Sequence, residues 1–244
     1  MNNEGKTVVL KIGGSILSPS PQKHINVEFI NDFKIQILKK YIPKNYKFII
    51  TIGGGYIARL FGSSMKKEGI SDTYRHRVGV ISTFLNATVF QGFISEYAVD
   101  HIVSLDDYFN LYNFANAQRT FNDEPVLLSC GGNRQESSTD MDAVLFAMRL
   151  GLTNVISMKG IDGVYSSDPK KDPSATLVKK TNWEDYFKLI GYAEEHTPGG
   201  MWPVDPIAAK NCAENGIKFT IVGSDCKNLS NYFQGKSFKG TIIA

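Results

Sequence analysis

The stretch from residue 137 to residue 169 constrains the fold most, because it joins a helix, a buried strand and a turn-rich loop in one unit. Ser138 or Thr139 can cap the helix by accepting a hydrogen bond from its first turn. Apolar residues spaced at i, i+3, i+4 and i+7 then form one stripe: Met141, Val144, Leu145 and Met148. The helix is expected to end at Gly151, and the apolar run 155–158 suits a buried strand of an α/β sheet.

The loop after this strand carries groups that bind ligands. It contains a glycine, an aromatic ring and two acids, namely Asp162, Gly163, Tyr165 and Asp168, and Lys159 stands at the end of the strand itself. Open α/β sheets bind ligands beyond the carboxyl ends of their strands, so the composition of this loop indicates a ligand site. An ordinary surface loop after a core strand is the alternative interpretation.

Two earlier apolar runs also end in glycine. Residues 7–12 lead into Gly13, Gly14 and Ser15, with Lys11 at the end of the expected strand, and residues 46–52 lead into Gly53-Gly54-Gly55. Glycines let the backbone approach a ligand closely, and a lysine beside them suits phosphate. A lysine at a strand end can also merely extend out of the core into solvent.

These motifs resemble those of the amino acid kinase family. The loop Asp162–Tyr165 followed by Asp168-Pro169 is similar to its adenine-nucleotide loop, residues 11–14 to its K-[LIFV]-[GS]-G, and residues 53–59 to its G-G-G-x-x-x-R. The resemblance runs nearly end to end. It implies an α/β fold, a three-layer α/β/α sandwich with a mainly parallel central sheet. It also implies a single domain over 1–244, with an acceptor-binding half of about 1–125 and a nucleotide-binding half of about 126–244.

The resemblance implies roles for individual residues in phosphoryl transfer from ATP with Mg²⁺. Catalysis falls to Lys11, Arg59 and Asp140. ATP binding falls to Lys11, Gly13, Gly14, Ser15, Gly55, Arg59, Lys159, Tyr165 and Asp168, and acceptor binding to Gly54, His76, Gly132, Asn133, Ser138 and Thr139. A structural salt bridge is the other interpretation of Arg59.

Within the family the chain looks most like the uridylate kinases, which implies UMP as acceptor and a role in pyrimidine nucleotide synthesis. Residues 78–86, 131–140 and Asp205-Pro206 carry this likeness. The chain departs from the pattern at His76, where those enzymes have an aspartate that contacts the ribose. His76, flanked by Arg75 and Arg77, would attract an anion, or it is simply a solvated helix residue.

That departure keeps two further hypotheses open. One is a molybdate-storage-like or regulatory ATP-binding assembly of the same fold, in which residues 75–77 face bound oxyanions. The other is a kinase for a different small phosphate or acid. Relatives such as acetylglutamate kinase also have a second catalytic lysine in G-G-M-x-x-K, where this chain has Val204. Lys159 could supply that charge, or it could pair with Asp162 or Asp168.

Composition narrows the partners. The 27 basic and 24 acidic residues are scattered, which gives no sign of nucleic-acid binding. Cys130, Cys212 and Cys226 lack the spacing of a metal site, so no protein-held metal is expected, and no apolar stretch is long enough to span a membrane. We therefore expect a cytoplasmic protein with small-molecule substrates, and the resemblance implies a homo-oligomer, a hexamer in uridylate kinases.

The remaining pattern predicts helices and strands between the motifs. Residues 72–97 form an expected long helix for central packing or subunit contact, with one apolar face made of Val78, Ile81, Leu85, Val89 and Phe93. A strand is expected at 101–105, a helix at 106–118, a strand at 125–129 and an edge strand at 176–179. Helix 183–189 and strands 217–222 and 240–243 complete the chain.

Overall fold

The strands of the protein form one mainly parallel sheet. The computed structural model describes residues 6–104, 124–131, 138–169, 171–191 and 202–244. Within them the strands are β1 Lys6–Ile12, β2 Tyr46–Ile52, β3 Val103–Ser104, β4 Val126–Cys130, β5 Asn154–Met158, β6 Val164–Tyr165, β7 Leu177–Val178, β8 Lys180–Thr181, β9 Lys218–Val222 and β10 Gly240–Ile243. Eight of them follow the order β3-β4-β2-β1-β5-β9-β10-β8, and only the β9–β10 pairing in this sheet is antiparallel.

Helices cover both faces of this sheet. They are α1 Gly14–Leu17, α2 Val27–Phe33, α3 Lys39–Tyr41, α4 Gly55–Lys67, α5 Asp72–Phe93, α6 Thr139–Arg149, α7 Trp183–Ile190, α8 Pro206–Glu214 and α9 Cys226–Phe233. A π-helical turn, Lys34–Leu38, joins α2 to α3, and a 3-10 turn, Ile42–Lys44, follows. The short ribbon of β6 and β7 stands apart from the main sheet.

Alternate residues of each strand enter two separate cores, which places helices on both faces. In β1, Val9 joins a core with α6, α7 and α8, whereas Leu10 and Ile12 join a core with α1, α2 and α9. Parallel strands that are covered on both faces carry apolar residues at most positions, which is why these segments read as nearly continuous apolar runs. The predicted three-layer α/β/α sandwich is confirmed.

The long helix α5 corrects one prediction. Its buried side chains are Ser82, Thr83, Asn86, Ala87 and Phe90. Ile81 and Leu85, on the predicted apolar face, are 65% and 45% exposed, so they do not serve central packing within the chain. The reason is that the inner face of α5 meets backbone at the ends of strands, where small and hydrogen-bonding side chains fit. Ile81 and Leu85 are left outside, while Val78, Val89 and Phe93 are half-buried.

Several other boundaries differ. The predicted edge strand 176–179 is the short β7, which pairs with β6, while β8 is the edge strand of the main sheet. The strand expected at 101–105 is reduced to Val103–Ser104, and the expected helix 106–118 lies outside the described residues. All three cysteines are buried, and no disulfide joins them. In the described parts of the chain, no helix has the length and apolar character that crossing a membrane requires.

Candidate active site

The glycine segments after β1 and β2 touch each other through their backbones. The two strands are parallel neighbours, with Ile12 opposite Ile52. A Cβ added to Gly14 would lie 2.1 Å from the amide nitrogen of Gly55 and 2.2 Å from the carbonyl oxygen of Gly53. Gly55 also has a φ of +67°, which disfavours any other residue. These positions therefore need glycine because the two turns are in direct contact.

This contact leaves backbone donors available at the carboxyl edge of the sheet. The Gly13 N–H donates to the Met158 carbonyl at 2.9 Å, so it holds the turn against β5. The N–H groups of Gly14, Gly54 and Gly55 find no acceptor among the described residues. Successive free N–H groups in a turn form a concave site for anions.

Two lysines and one aspartate form the charged centre of the site. Asp140 Oδ1 lies 3.3 Å from Lys11 Nζ, and Asp140 Oδ2 lies 2.6 Å from Lys159 Nζ. The three side chains are only 7–11% exposed. Lys159 therefore pairs with Asp140, and Asp162 pairs instead with Lys239 at 2.7 Å. Two ammonium groups face this one carboxylate, and the nearby Asp205 carboxylate also favours the charged form of Lys159. The centre thus offers two cations to an anionic ligand.

Burial and charge set the protonation of this centre. Burial alone would raise the pKa of Asp140, but Lys11, Lys159 and the Asp205 N–H outweigh it and lower that pKa to about 2. For Lys159, burial disfavours the ammonium form and lowers the pKa to about 8, although Asp140 opposes the shift. Lys159 is thus a cation at neutral pH with a proton that it loses in mildly alkaline solution.

Two helix starts hold Asp140 in place. Ser138 caps α6 by accepting a hydrogen bond from the Met141 N–H at 3.2 Å, and Thr139 begins the helix directly before Asp140. From the other side, the backbone N–H of Asp205 donates to Asp140 Oδ2 at 3.2 Å, at the start of α8. The carboxylate is therefore positioned by backbone as well as by the two lysines.

The inner face of α5 closes the site over β2 and β4. Asn86 Nδ2 donates to the Gly53 carbonyl at 2.8 Å, and the Gly131 N–H donates to Thr83 Oγ1 at 2.8 Å. His76 lies two turns before Thr83 and is half-buried. Its Nε2 is buried and has no hydrogen-bond partner in the described part of the chain.

Arg75 and Arg77, which flank His76, each contact other groups of the protein. Arg75 pairs with Asp72, and its Nε donates to the Gly62 carbonyl at 3.2 Å. The Arg77 guanidinium lies 5.4 Å from the centre of the Tyr74 ring. The basic run therefore does not form one cluster aimed at a single ligand.

Other predicted site residues lie around this centre without joining it. Tyr165 lies on β6, where its hydroxyl donates to Asp162 Oδ2 at 3.3 Å, and Asp168 is exposed in the following turn. Ser15 is half-buried, with its Oγ beside Gly160. Arg59 is exposed on α4, one turn after Gly55, and makes no ion pair with any described residue. Gly132 and Asn133 lie outside the described residues.

Three supports of the site were not among the predicted site residues, although they lie in segments that carry the resemblance: Thr83, Asn86 and the amide of Asp205. The sequence could have indicated the first two, because the polar residues at 82, 83 and 86 have helical spacing and so lie on one side of an otherwise apolar helix. The Asp205 amide carried no such signal, since any residue before a helix-starting proline presents the same backbone. The described residues also contain no group of three or more His, Cys, Asp or Glu side chains able to hold a metal ion.

The chain belongs to the amino acid kinase family, whose sequence profile matches residues 6–223. This agrees with the fold and with a site built from two glycine turns and a lysine–aspartate–lysine centre.

Relatives within this family cover almost the whole chain. A uridylate kinase of Thermococcus sibiricus is 30% identical over 237 residues, 97% of this chain and 98% of the relative. A uridylate kinase of Pyrococcus abyssi is 28% identical with the same coverage. Among solved structures, the UMP kinase of Ureaplasma parvum superposes with a TM-score of 0.80 at 25% identity, covering 98% of this chain and 99% of that one. The uridylate kinase of Archaeoglobus fulgidus has a TM-score of 0.77 at 26% identity, covering 98% and 100%.

Proposed function

We propose that this protein is a uridylate kinase, which transfers the γ-phosphoryl group of Mg-ATP to UMP and yields UDP and ADP. The observation that carries the proposal is Asp140 held between Lys11 and Lys159, beside backbone N–H groups at the edge of the sheet. Relatives named uridylate kinase over nearly the full length support the choice of substrate. Such a reaction would place the protein in pyrimidine nucleotide synthesis in the cytoplasm.

The site suits a reaction that needs charge neutralisation more than acid–base chemistry. A phosphate acceptor is already anionic near neutral pH, so its oxygen can attack without a general base. Lys11 and Lys159 would balance the charge that develops on the transferred group, and Arg59 would swing in from α4 as a third cation. The free N–H groups of Gly14, Gly54 and Gly55 would hold phosphate oxygens. Asp140 would keep the two ammonium groups apart and oriented.

Lys159 takes the role of the second catalytic lysine in this proposal. The position expected for that lysine holds Val204, which is fully buried. The Lys159 ammonium approaches Asp140 from the end of β5, so the charge is supplied from there and not from the segment before α8. Mg²⁺ would enter with ATP as its counter-ion. Asp140 Oδ2 accepts hydrogen bonds from Lys159 and the Asp205 amide, whereas Oδ1 faces Lys11 at 3.3 Å and has no hydrogen bond within the described residues.

ATP and the acceptor would occupy opposite sides of the charged centre. We assign the ATP side to Gly13, Gly14, Ser15, Gly55, Tyr165 and Asp168. The acceptor side would comprise Gly54, His76, Ser138 and Thr139, together with Gly132 and Asn133. His76 Nε2, which has no partner among the described residues, would hydrogen-bond the acceptor in place of an aspartate.

The storage or regulatory assembly is not favoured. It requires Arg75, His76 and Arg77 to face oxyanions together, whereas the two arginines contact Asp72, Gly62 and Tyr74. The relatives cited above bear the name of the enzyme, which also supports catalysis.

We further propose that the protein is a homo-oligomer, and a hexamer by analogy with its relatives. The outward face of α5 carries Ile81, Phe84 and Leu85, which are 45–65% exposed. Contiguous exposed apolar side chains on a helix are typical of a contact between subunits.

The test is ADP release by the purified protein with Mg-ATP, comparing UMP, CMP, dUMP, isopentenyl phosphate and acetylglutamate as acceptors. We expect selective turnover with UMP. Turnover with another phosphate and not with UMP would identify that phosphate as the acceptor. The presence of His76 in place of an aspartate would then explain the preference. ATP binding without turnover on any acceptor would overturn the proposed function.

A further inference from the structure

A buried tyrosine binds both backbone groups of one residue next to the charged centre. Tyr186, in the first turn of α7, is fully buried. Its hydroxyl accepts a hydrogen bond from the Val204 N–H at 2.7 Å and donates one to the Val204 carbonyl at 2.8 Å. A side chain that satisfies the donor and the acceptor of one residue fixes the position and orientation of that residue.

Tyr186 is itself firmly held. Its ring packs edge-on against Trp183 at 5.8 Å between centroids, and Trp183 Nε1 donates to the Ile217 carbonyl at 3.2 Å. Burial raises the pKa of the Tyr186 hydroxyl, so the group stays neutral and can both donate and accept throughout the working range of an enzyme. The helix α7 thus presents a rigid hydroxyl to the segment before α8.

The residue after Val204 is the one that contacts the centre. The Asp205 N–H donates to Asp140 Oδ2 at 3.2 Å, while Asp205 Oδ1 accepts from the amides of Ile207 and Ala208 and caps α8. The amides of Val204 and Asp205 belong to consecutive peptide units. A shift of Val204 therefore moves the donor that holds Asp140, and with it the two lysines.

We infer that Tyr186 is a positioning residue of the transfer site: by fixing Val204 it holds the Asp205 amide on Asp140, and so sets the spacing of Lys11 and Lys159. This inference rests on the proposed function for its effect on rate, but not for its effect on the geometry of the site.

The variant that tests it is Tyr186→Phe, and the chain offers a matched control. Tyr41 is also buried, and its hydroxyl bonds the carbonyl and the side chain of Ser230 at 2.9 Å, in the core on the other face of the sheet. Tyr41→Phe removes an equivalent hydroxyl without touching the site. Both variants are expected to lose stability, since each leaves buried polar groups unpaired.

Kinetics separate positioning from a general loss of stability. At a temperature where both variants are folded, we expect Tyr186→Phe to lower kcat with UMP by about tenfold to a hundredfold, because catalysis depends on placement within about 1 Å. KM for ATP and for UMP should stay within about twofold, and Tyr41→Phe should retain the wild-type kcat. An unchanged kcat in Tyr186→Phe, or an equal loss in both variants, overturns the inference.

Amide hydrogen exchange supplies a measurement that needs no turnover. We expect the Val204 and Asp205 amides to be strongly protected in the wild type, and the Asp205 amide to exchange faster in Tyr186→Phe but not in Tyr41→Phe. Unprotected amides in the wild type overturn the inference even if Tyr186→Phe does not fold. If the wild type fails to phosphorylate UMP but shows this exchange pattern, the proposed function fails and the positioning by Tyr186 stands.

Discussion

Lys159 is the residue on which pH should act. Its ammonium is about nine-tenths buried, and it shares Asp140 with a second ammonium. Burial, opposed by the carboxylate, leaves the pKa of Lys159 at about 8, close to the pH at which kinases work. A group that must be charged for transfer and that deprotonates near this pH should limit the reaction on the alkaline side.

We expect kcat to fall above about pH 8 as Lys159 loses its proton. Lys159→Arg keeps its charge at all these pH values, so its profile should stay level where that of the wild type falls. Lys159→Met should lower kcat about 100-fold at neutral pH, because it removes a cation from the developing charge. The measurement is the steady-state pH profile of the three proteins with both substrates saturating.

The loss of the Lys159 proton, which should lower kcat, should raise the free energy of unfolding. The folded pKa of Lys159 lies below the ordinary value of 10.5, so the folded chain binds fewer protons than the unfolded chain between about pH 8 and that value. The free energy of unfolding of the wild type should therefore rise across this window relative to Lys159→Met, as urea unfolding can measure. In the kinetic profile, an alkaline fall of kcat that persists in Lys159→Arg would contradict the assignment of that fall to Lys159.

The sequence could identify Lys159 but not its partner. Asp140, Asp162 and Asp168 are all acids within reach along the chain or across the sheet, and only the fold decides among them. The pairing of β1 with β5 brings Lys159 beside Lys11, and the start of α6 places Asp140 between the two. Lys11, Asp140 and the glycine turns were predictable because each stands in a short motif that resembles one of the amino acid kinase family.

At the scale of elements, α5 shows where periodicity stops being informative. The spacing of its apolar residues identified a helix and a stripe, but not which way the stripe points. The helix crosses the ends of β2 and β4, where Asn86 and Thr83 satisfy the backbone of Gly53 and Gly131. Satisfying buried backbone groups takes precedence over burying Ile81 and Leu85, so these two residues of the stripe face outward.

We expect this outward face to mediate self-association. The double variant Ile81→Glu/Leu85→Glu places two charges on it and should shift the protein to smaller species in sedimentation velocity, with little effect on the folding of each chain. Leu189→Glu, an exposed apolar position on α7, is the matched control and should leave the association state unchanged. A wild-type protein that is monomeric at micromolar concentration would contradict the expectation.

On the scale of the whole molecule, the sheet unites the two ends of the sequence. β1 lies between β2 and β5, and β4 lies between β3 and β2. Each core contains residues from both halves: Val9 packs with α7 and α8 in one, and Leu10 packs with α9 in the other. Neither half of the sequence therefore has a core of its own among the described residues.

We expect the chain to unfold in one step. Trp183 and Trp202 are its two tryptophans and both report on the second half, whereas far-UV circular dichroism reports on all helices and strands. In urea the two signals should change with the same midpoint and slope, as in a two-state transition. A circular dichroism change that precedes the fluorescence change would indicate that the halves unfold separately.

The contact between the glycine turns also limits how this protein can change its substrate. Positions 14, 53 and 55 admit no Cβ without displacing the facing backbone, so the surface that would meet phosphate is fixed by peptide groups alone. Mutation cannot retune that surface. New acceptor preferences, in nature or in a directed-evolution library, would have to arise on the inner face of α5, at residues such as His76 and Thr83.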